Sequence, residues 1–524
     1  MASKTLFKSM IGKLTPAANA VNEAGGRAYE RSPRALLAQY AATGCLSDTF
    51  YASAEDQLAT VLSLCQSPAV EPEFIARTAI YARSRGNMKD LPALLAASLT
   101  VRSPGLLAEV FDRVIDDGRM LRNFVQIVRS GVVGRKSLGS LPKRLVQNWF
   151  DTRSDEEVFR ASVGNDPSLA DVIKMVHPSP TSCKRSALYG YLIGQPYDAA
   201  DLPDVVKAYL AFKTGASREV PDVPFQMLTS LGLKPPQWKR IARLGSWQTV
   251  RQNLNTFARH GVFDGDDALT AVIAAKLQNR DNIKRARAFP YQLMVAYKQT
   301  LSTIPAAVSE ALQDAMEVAT ENVPKLADGV FVLPDVSGSM HSPITGVRRG
   351  ATSVVRCIDV AALFAATVLR TNPHAEVLPF ESKPIDVRLN PRDSIMTNAN
   401  VLASLPAGGT NCSAPLAELN RRKAKGDLVI YVSDNESWID SPWYGRFGGG
   451  PTETMREWSV FKQRNPRAKL VCIDLQPTGT TQAVSRDDVL NVGGFSDAVF
   501  DVIVGFMAGS SGDHWVKTIE AVSL

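Results

Sequence analysis

The chain has 524 residues, of which 45% are apolar and 21% are charged. This composition excludes a disordered chain, and the length predicts at least two compact domains. The formal net charge of +7 is uneven, because residues 1–325 contain 40 Lys and Arg against 31 Asp and Glu, whereas residues 326–524 contain 19 against 21. The excess positive charge favours a polyanionic partner, such as nucleic acid or an anionic membrane surface, on the N-terminal part.

The six cysteines are scattered along the chain, without a C-x-x-C pair or a neighbouring cluster of histidines. This pattern is typical of free thiols in a reducing compartment rather than of a disulfide framework or a zinc site. The N-terminus lacks the apolar core of a signal peptide, and no apolar run reaches the roughly 18 residues of a membrane span. We therefore expect a cytoplasmic protein that does not enter a membrane.

Residues 1–325 are predicted to be helical. In "SPGLLAEVFDRVIDD" (103–117) apolar residues recur at steps of three and four, which indicates a helix with one apolar face. "DALTAVIAAKLQ" (267–278) repeats the pattern with Leu269, Val272, Ile273 and Leu277 on one face. Amphipathic helices joined by short polar turns predict stacked helical pairs, similar to HEAT repeats without a strict period.

Residues 326–524 show a different pattern. The runs "GVFVLPD" (329–335), "GDLVIYVSD" (426–434) and "AKLVCIDL" (468–475) are short and almost continuously apolar, and helical segments lie between them. Buried strands that alternate with helices predict a doubly wound α/β domain with a parallel sheet. Ligands of such sheets bind beyond the carboxyl ends of the strands.

Oxygen-bearing side chains follow these strands. Asp335, Ser337 and Ser339 alternate in "PDVSGSM", Thr410 follows two glycines, and Asp434 ends the run "VIYVSD". Carboxylate and hydroxyl oxygens without soft ligands suit a hard divalent cation, with Mg²⁺ expected. A site with only two carboxylates is expected to leave such an ion an open position for an acidic group of a partner. A serine hydrolase is disfavoured, because the G-x-S-x-G turn is missing.

The loop after Asp434 is glycine-rich and carries Trp438, Trp443, Tyr444 and Phe447. These aromatic side chains either form a partner-binding lip at the ligand edge of the sheet or pack down as a local core. The sequence leaves both alternatives open.

The five oxygen-bearing residues, in this order on these strand ends, resemble the metal-ion-dependent adhesion site of von Willebrand factor A (vWA) domains. The likeness extends through the helical part, where "RAYERSPRALLAQYAATG" (27–44), "VVGRKSLGSLPKRLVQNWF" (132–150), "ADVIKMVHPSPTSCKRSALYGYL" (170–192) and "NIKRARAFPYQLMVAYKQTL" (282–301) resemble the Ro family of RNA-binding proteins. The resemblance implies a helical-repeat TROVE domain over residues 1–325, followed by a vWA domain over residues 326–524.

The Ro resemblance also implies a function. Family members form a helical ring that binds small structured Y RNAs on its basic outer surface and admits single-stranded 3′ ends of misfolded RNAs to a central hole. In bacteria they assist exoribonucleases, such as polynucleotide phosphorylase, in RNA maturation and quality control. A non-catalytic, monomeric scaffold is therefore expected.

Basic residues in the helical part are candidates for phosphate contacts, which set affinity and its salt dependence without selecting a sequence. Arg122 and Arg129 lie on one predicted helix, and the next loop and helix carry Arg135, Lys136, Lys143 and Arg144. The resemblance places His177 at a histidine that is important for RNA binding in the family. Lys184 and Arg185 are expected to extend the same patch. In "VFRASVGNDPS" (158–168), upstream of His177, Arg160 is the only basic residue, whereas the family tends to have several there.

Two alternatives to a scaffold remain open. The first is a metal-dependent phosphohydrolase or nuclease that uses Asp335 and Asp434, although the motif offers no further carboxylate for a second metal or a general base. The second is a protein-adhesion module built on the α/β domain, with an incidental basic neighbour.

Overall fold

The computed structural model describes residues 15–43, 53–86, 88–300, 302–344, 354–438, 450–495, 499–508 and 514–524. They divide into two compact units. The helical unit comprises Ala59–Ile273, Thr303–Pro305 and Ile519–Leu524, and the sheet unit comprises Met1–Leu58, Ala274–Ser302 and Ala306–Thr518. This division differs from the predicted boundary at residue 325, because segments from before that residue pack with the sheet.

Helices account for nearly all regular structure of the helical unit. They are α2 (Ala54–Gln66), α3 (Pro72–Ser84), α4 (Asp90–Arg102), α5 (Pro104–Val114), α6 (Gly118–Ser130), α7 (Ser140–Asp151), α8 (Asp155–Arg160), α9 (Leu169–Val176), α10 (Cys183–Ile193), α11 (Asp204–Thr214), α12 (Phe225–Thr229), α13 (Pro235–Leu244), α14 (Trp247–Gln252), α15 (Leu254–Arg259) and α16 (Asp267–Gln278), of which α2 and α16 contain unit boundaries.

Helices α3 to α7 pack against near neighbours along the chain, for example α4 against α3, α5 and α6. The predicted apolar face of α5 is confirmed, since Leu107, Val110, Phe111 and Val114 are buried. On α16 the prediction is wrong for Val272, which is 39% exposed. The buried residues Leu269, Ile273 and Leu277 follow one another at steps of four, and Val272 lies off that line.

The sheet unit contains eight strands among the described residues. They are β1 (Ala20–Val21), β2 (Arg27–Glu30), β3 (Val330–Pro334), β4 (Glu376–Val377), β5 (Leu428–Ser433), β6 (Lys469–Asp474), β7 (Thr480–Thr481) and β8 (Val489–Gly493). Its helices are α1 (Pro33–Thr43), α17 (Arg280–Arg285), α18 (Pro290–Thr300), α19 (Ala306–Ala319), α20 (Cys357–Thr371), α21 (Ile395–Ala403), α22 (Ala414–Arg421), α23 (Glu453–Arg464), α24 (Val499–Met507) and α25 (His514–Glu520), the last of which ends beyond the unit boundary.

The main sheet has five strands in the order β4-β3-β5-β6-β8, and all neighbours are parallel. Alternate residues of β3, β5 and β6 pack on α22 and α23 through one core cluster that includes Phe331, Tyr431, Cys472 and Trp458. Helix α20 packs against β3 and β5 and against α21. Helices beside a parallel sheet of buried strands confirm the predicted α/β class, and the fold as a whole is a helical part followed by a vWA-like domain.

A second, antiparallel sheet joins the start of the chain to the vWA-like part. Strand β2 pairs with β1 on one side and with β7 on the other, where Tyr29 lies opposite Thr481. The sequence analysis missed this pairing, because strands of two and four residues leave almost no periodic signal. Among the described residues, no helix combines the length and apolar character needed to cross a lipid bilayer.

Candidate functional site

Three loops meet beyond the carboxyl edge of the main sheet. The loop after β3 is tied to the glycine loop before α22, because the N–H of Gly338 donates to the carbonyl of Gly408 across 3.0 Å. The glycine loop is tied in turn to the loop after β5, because the N–H of Trp438 donates to the carbonyl of Thr410 across 3.2 Å. The structure therefore brings the segments of all five predicted cation ligands together.

The first carboxylate of this site is held from two directions. Asp335 is fully buried, and its Oδ1 accepts from the N–H of Ser337 at 2.8 Å while its Oδ2 accepts from the hydroxyl of Ser433 at 2.6 Å. The hydroxyls of Ser337 and Ser339 lie 3.3 Å apart. Ser433 was missed in the sequence, although its position one residue before Asp434 on a buried strand is a usable signal.

Burial dominates the electrostatics of the two carboxylates. It raises the pKa of Asp335 to about 7, with a further contribution from the negative charge of Asp434 and opposition from the two serine hydrogen bonds. Burial also raises the pKa of Asp434. Oδ1 of Asp434 accepts from the N–H of Glu436 at 3.3 Å, whereas its buried Oδ2 has no hydrogen-bond donor within the described part of the chain.

These residues fit a hard divalent cation. A buried oxygen without a donor, beside a second buried carboxylate and serine and threonine hydroxyls, forms an oxygen-only donor set. In the described segments no three His, Cys, Asp or Glu side chains group as metal ligands, so any ion here depends on the hydroxyl oxygens of Ser337, Ser339 and Thr410.

A second set of buried carboxyls lies beside this site. Glu436 accepts from the hydroxyl of Thr478 at 3.1 Å and from the N–H of Glu23 at 2.9 Å. Asp474, at the end of β6, pairs with Arg31 at 3.2 Å. Burial raises the pKa of Glu436 to about 7 and that of Asp474 to about 8, the latter against the favourable charge of Arg31. The N-terminal segment thus contacts the loops that follow β5 and β6.

The aromatic residues of the loop after β5 are only partly within the described residues. Trp438 is half-buried and lies against Gly409, where a Cβ atom would come within 2.5 Å of the indole nitrogen. Trp443, Tyr444 and Phe447 lie outside the described residues. The choice between a partner-binding lip and a local core therefore stays open.

In the helical unit, six of the predicted RNA-binding residues have exposed or half-buried side chains that pair with no carboxylate of the described residues. Helix α9 packs against α6, α7 and α10, which brings the elements that carry these residues side by side. They are Arg129, Lys136, Lys143, Arg144, His177 and Lys184. His177 ends α9 in a left-handed conformation, with φ of 51°. Gln147 of α7 donates to the carbonyl of Val176 at 2.6 Å, which fixes this turn against the neighbouring helix.

Arg185 corrects the sequence prediction. It does not extend the exposed patch, because it is only 4% exposed and pairs with Asp155. Its Nη1 donates to the carbonyl of Phe150 at 2.7 Å and its Nη2 to that of Arg153 at 2.6 Å. The guanidinium therefore joins α10 to the end of α7 and the start of α8.

Three further predicted residues have their own contacts. Arg135 donates to the carbonyls of Ser137 and Leu138, which closes the loop before α7. Arg160 pairs with Asp222 at 2.6 Å. Arg122 is 8% exposed and lines a cleft. Arg153, which the sequence analysis did not select, lines the same cleft.

Comparisons with known proteins agree with this architecture. A family model described as the Ro60 vWA domain matches residues 330–507. The chain is 25% identical over 523 residues to the RNA-binding protein RO60 of Deinococcus radiodurans, and the match covers 93% of this chain and 95% of that protein. It is 22% identical over 248 residues to the RNA-binding protein RO60 of Caenorhabditis elegans, which covers 45% of this chain and 36% of that protein.

The fold comparison points the same way. The crystal structure of the Deinococcus radiodurans RO (RSR) protein matches with a TM-score of 0.64 at 22% identity, over 91% of this chain and 100% of that chain. At this identity the match concerns the fold. Together with the vWA match, it shows that the chain has the fold of an RO protein and is similar along nearly its whole length to an RNA-binding protein named RO60.

Proposed function

We propose that the chain is a non-catalytic RNA-binding scaffold of the Ro type. The observation that carries the proposal is its similarity, over 93% of its length, to the RNA-binding protein RO60 of Deinococcus radiodurans. In this proposal the helical part binds small structured RNA of the Y RNA class on its basic surface. Single-stranded 3′ ends of misfolded or immature RNA enter a central hole, and an exoribonuclease such as polynucleotide phosphorylase processes them. The chain acts as a cytoplasmic monomer.

The surface proposed for structured RNA consists of Arg129, Lys136, Lys143, Arg144, His177 and Lys184. Exposed cationic side chains suit phosphate contacts. When they neutralise RNA phosphates, the counterions bound to the RNA are released, and this contribution to affinity does not depend on the base sequence. The exposed imidazole of His177 is suited to stack on an unpaired base or to bond its edge.

The vWA domain is proposed to bind a divalent cation, with Mg²⁺ the expected ion. Asp335, Ser337, Ser339, Thr410 and Asp434 would hold it. When bound, the ion supplies positive charge that offsets the two buried carboxylates and an open position for an acidic group of a partner protein. The residues around it keep the two carboxylates in place through Ser433 and through the N–H groups of Ser337 and Glu436.

A gel-shift salt series with a structured small RNA tests the RNA surface. The full chain is expected to bind with an affinity that falls steeply with salt, and loss of the exposed cations is expected to flatten that dependence. An affinity and a salt slope that do not change when His177, Arg144 and Lys184 are replaced together would contradict the assignment.

A further inference from the structure

The helical unit contains an open cleft of about 680 Å³, a volume typical of small-molecule sites. It lies between the start of α6, the ends of α7 and α8, and the loop that follows α8. Arg122, Arg153, Trp149, Asn165 and Gln226 are among the residues that line it. None of the exposed cations of the proposed RNA surface lies in this lining.

Two guanidinium groups in the cleft contact no carboxylate of the described chain. Arg122 is 8% exposed, and the one hydrogen bond that its side chain forms within the described residues runs from Nη1 to the carbonyl of Ala161 at 2.8 Å. Arg153 lies over the ring of Trp149 at 4.2 Å and donates to the carbonyls of Trp149 and Asp116 and to the hydroxyl of Thr152. Since a guanidinium has five N–H donors, both retain donors for a ligand.

The unfavourable effect of burial on these two cations is only partly offset by nearby negative charge. Burial lowers the pKa of Arg122 and of Arg153, although the charges of nearby acidic residues act in the opposite direction. A buried cation without a contacting anion is costly, and a bound anion would remove that cost.

The acidic residues that line the cleft are mostly engaged elsewhere. Asp116 and Asp117 pair with Arg83 at 2.7 and 3.5 Å, and Asp117 also pairs with Lys89 and caps α6. Glu157 accepts from the N–H of Ser154 in the capping box of α8. These carboxylates therefore bind neighbouring side chains and backbone N–H groups of the protein, while the two guanidiniums keep unused donors.

The backbone around Arg122 is shaped to hold its side chain. Gly164 has φ of 100°, and a Cβ atom at this position would come within 2.6 Å of Nη2 of Arg122. The loop after α8 therefore packs directly on the guanidinium, and the positive φ of residue 164 favours glycine there. Trp149 gives the same support to Arg153 from its ring face.

We propose that this cleft binds a phosphomonoester, carried either by a free mononucleotide or by the phosphorylated end of an RNA chain. Two fixed guanidiniums match the several acceptor oxygens of a phosphate dianion and form charge-assisted hydrogen bonds with it. The amides of Asn165 and Gln226 stand at the exposed part of the cleft, where a base or sugar would extend. The inference does not depend on the proposed RNA surface, which uses other residues.

Calorimetric titration of the full chain with 5′-AMP, adenosine and inorganic phosphate tests this site. Binding of 5′-AMP without binding of adenosine is expected, and Arg153→Gln is expected to weaken it roughly tenfold or more, since a hydrogen bond to a charged group is lost. Arg240→Gln is the matched control, because Arg240 is exposed and lies outside the cleft. Arg122→Gln, checked for folding by circular dichroism, is the second variant.

A short single-stranded RNA with a 5′-phosphate, a 3′-phosphate or neither identifies the source. If 5′-AMP binds and end phosphorylation has no effect, the ligand is a free nucleotide; a preference for one phosphorylated end assigns that RNA end. Either result supports the site if Arg153→Gln weakens binding of the phosphorylated ligand, whether that ligand is 5′-AMP or the phosphorylated RNA end. The proposal is overturned if no phosphorylated ligand binds better than its unphosphorylated counterpart, or if Arg153→Gln leaves the affinity equal to that of Arg240→Gln.

Discussion

The hydroxyl of Ser433 donates to Oδ2 of Asp335 across 2.6 Å, and both groups are fully buried at the carboxyl edge of the parallel sheet. The hydrogen bond joins the ends of two adjacent strands, β3 and β5. It stabilises the charged form of a carboxyl group whose pKa burial raises to about 7. Asp335 therefore changes its ionisation near neutral pH, so binding of the proposed cation is expected to depend on pH.

Mg²⁺ is expected to stabilise the protein much more at about pH 8 than at about pH 5.5, because at the lower pH the ion must displace a proton from Asp335. Without the ion, the raised pKa gives a contribution to stability that is present at low pH and is lost as the pH rises through about 7. Bound Mg²⁺ at about 100 times its Kd would add about 2.7 kcal/mol. Thermal unfolding with and without Mg²⁺ measures the difference, and Asp434→Asn should abolish it. Equal shifts at both pH values would contradict the prediction.

Ser433→Ala is expected to move the pH midpoint of Mg²⁺ stabilisation upward. The variant removes a hydrogen bond that lowers the pKa of Asp335, so the carboxyl group ionises at higher pH. The same titration of unfolding temperature against pH detects the shift. Ser404→Ala is the control, because that hydroxyl donates to a carbonyl at the exposed end of α21, away from the site. A midpoint that stays in place would argue against the role of Ser433.

Replacing the exposed cations of the helical unit is expected to reduce the salt dependence of RNA binding. Arg144→Gln and Lys184→Gln should each lower the slope of log K against log salt by about 0.7 to 0.9, because each variant neutralises one phosphate fewer. Gel shifts at several salt concentrations give the slope. Arg240→Gln serves as the control for the change in net charge, and an equal reduction in that variant would show that only overall charge matters.

Arg185→Gln is expected to destabilise the helical unit instead of flattening the salt slope. Its guanidinium bonds Asp155 and two carbonyls in a buried position, so the variant should cost about 2 to 3 kcal/mol in the free energy of unfolding. Urea unfolding followed by circular dichroism measures the loss. Lys184→Gln, at the exposed neighbouring position, should change stability little. If Arg185→Gln instead left stability unchanged and lowered the salt slope of RNA binding, Arg185 would belong to the RNA surface.

Incubation of labelled RNA with the pure protein and Mg²⁺ separates the scaffold from the phosphohydrolase or nuclease alternative. Under the proposed scaffold function, we expect intact RNA. Cleavage that disappears in Asp335→Asn would favour the enzyme. A known Mg²⁺-dependent nuclease in the same buffer is the positive control.

The location of the candidate cation site follows from the sequence, because parallel strands end at the same edge and their next residues must converge. Asp335 and Asp434 are predictable in this way. The salt bridge between Arg31 and Asp474 is not, since 443 residues separate the partners and no local period signals their pairing. Arg185 fails for a related reason: sequence gives its charge, whereas only packing decides that Asp155 and two carbonyls enclose it.

The pairing of β2 with β7 has a consequence for how the chain is made. The segment that carries Arg31 is synthesised more than 400 residues before its partners at Asp474 and Thr480. The sheet unit therefore cannot complete its structure until β6 and β7 have been synthesised, and it then closes a loop of more than 400 residues. A fragment that begins at residue 326 would bury the carboxyl group of Asp474 without its guanidinium partner, so an isolated vWA domain should gain solubility and stability when residues 15–43 are added in trans.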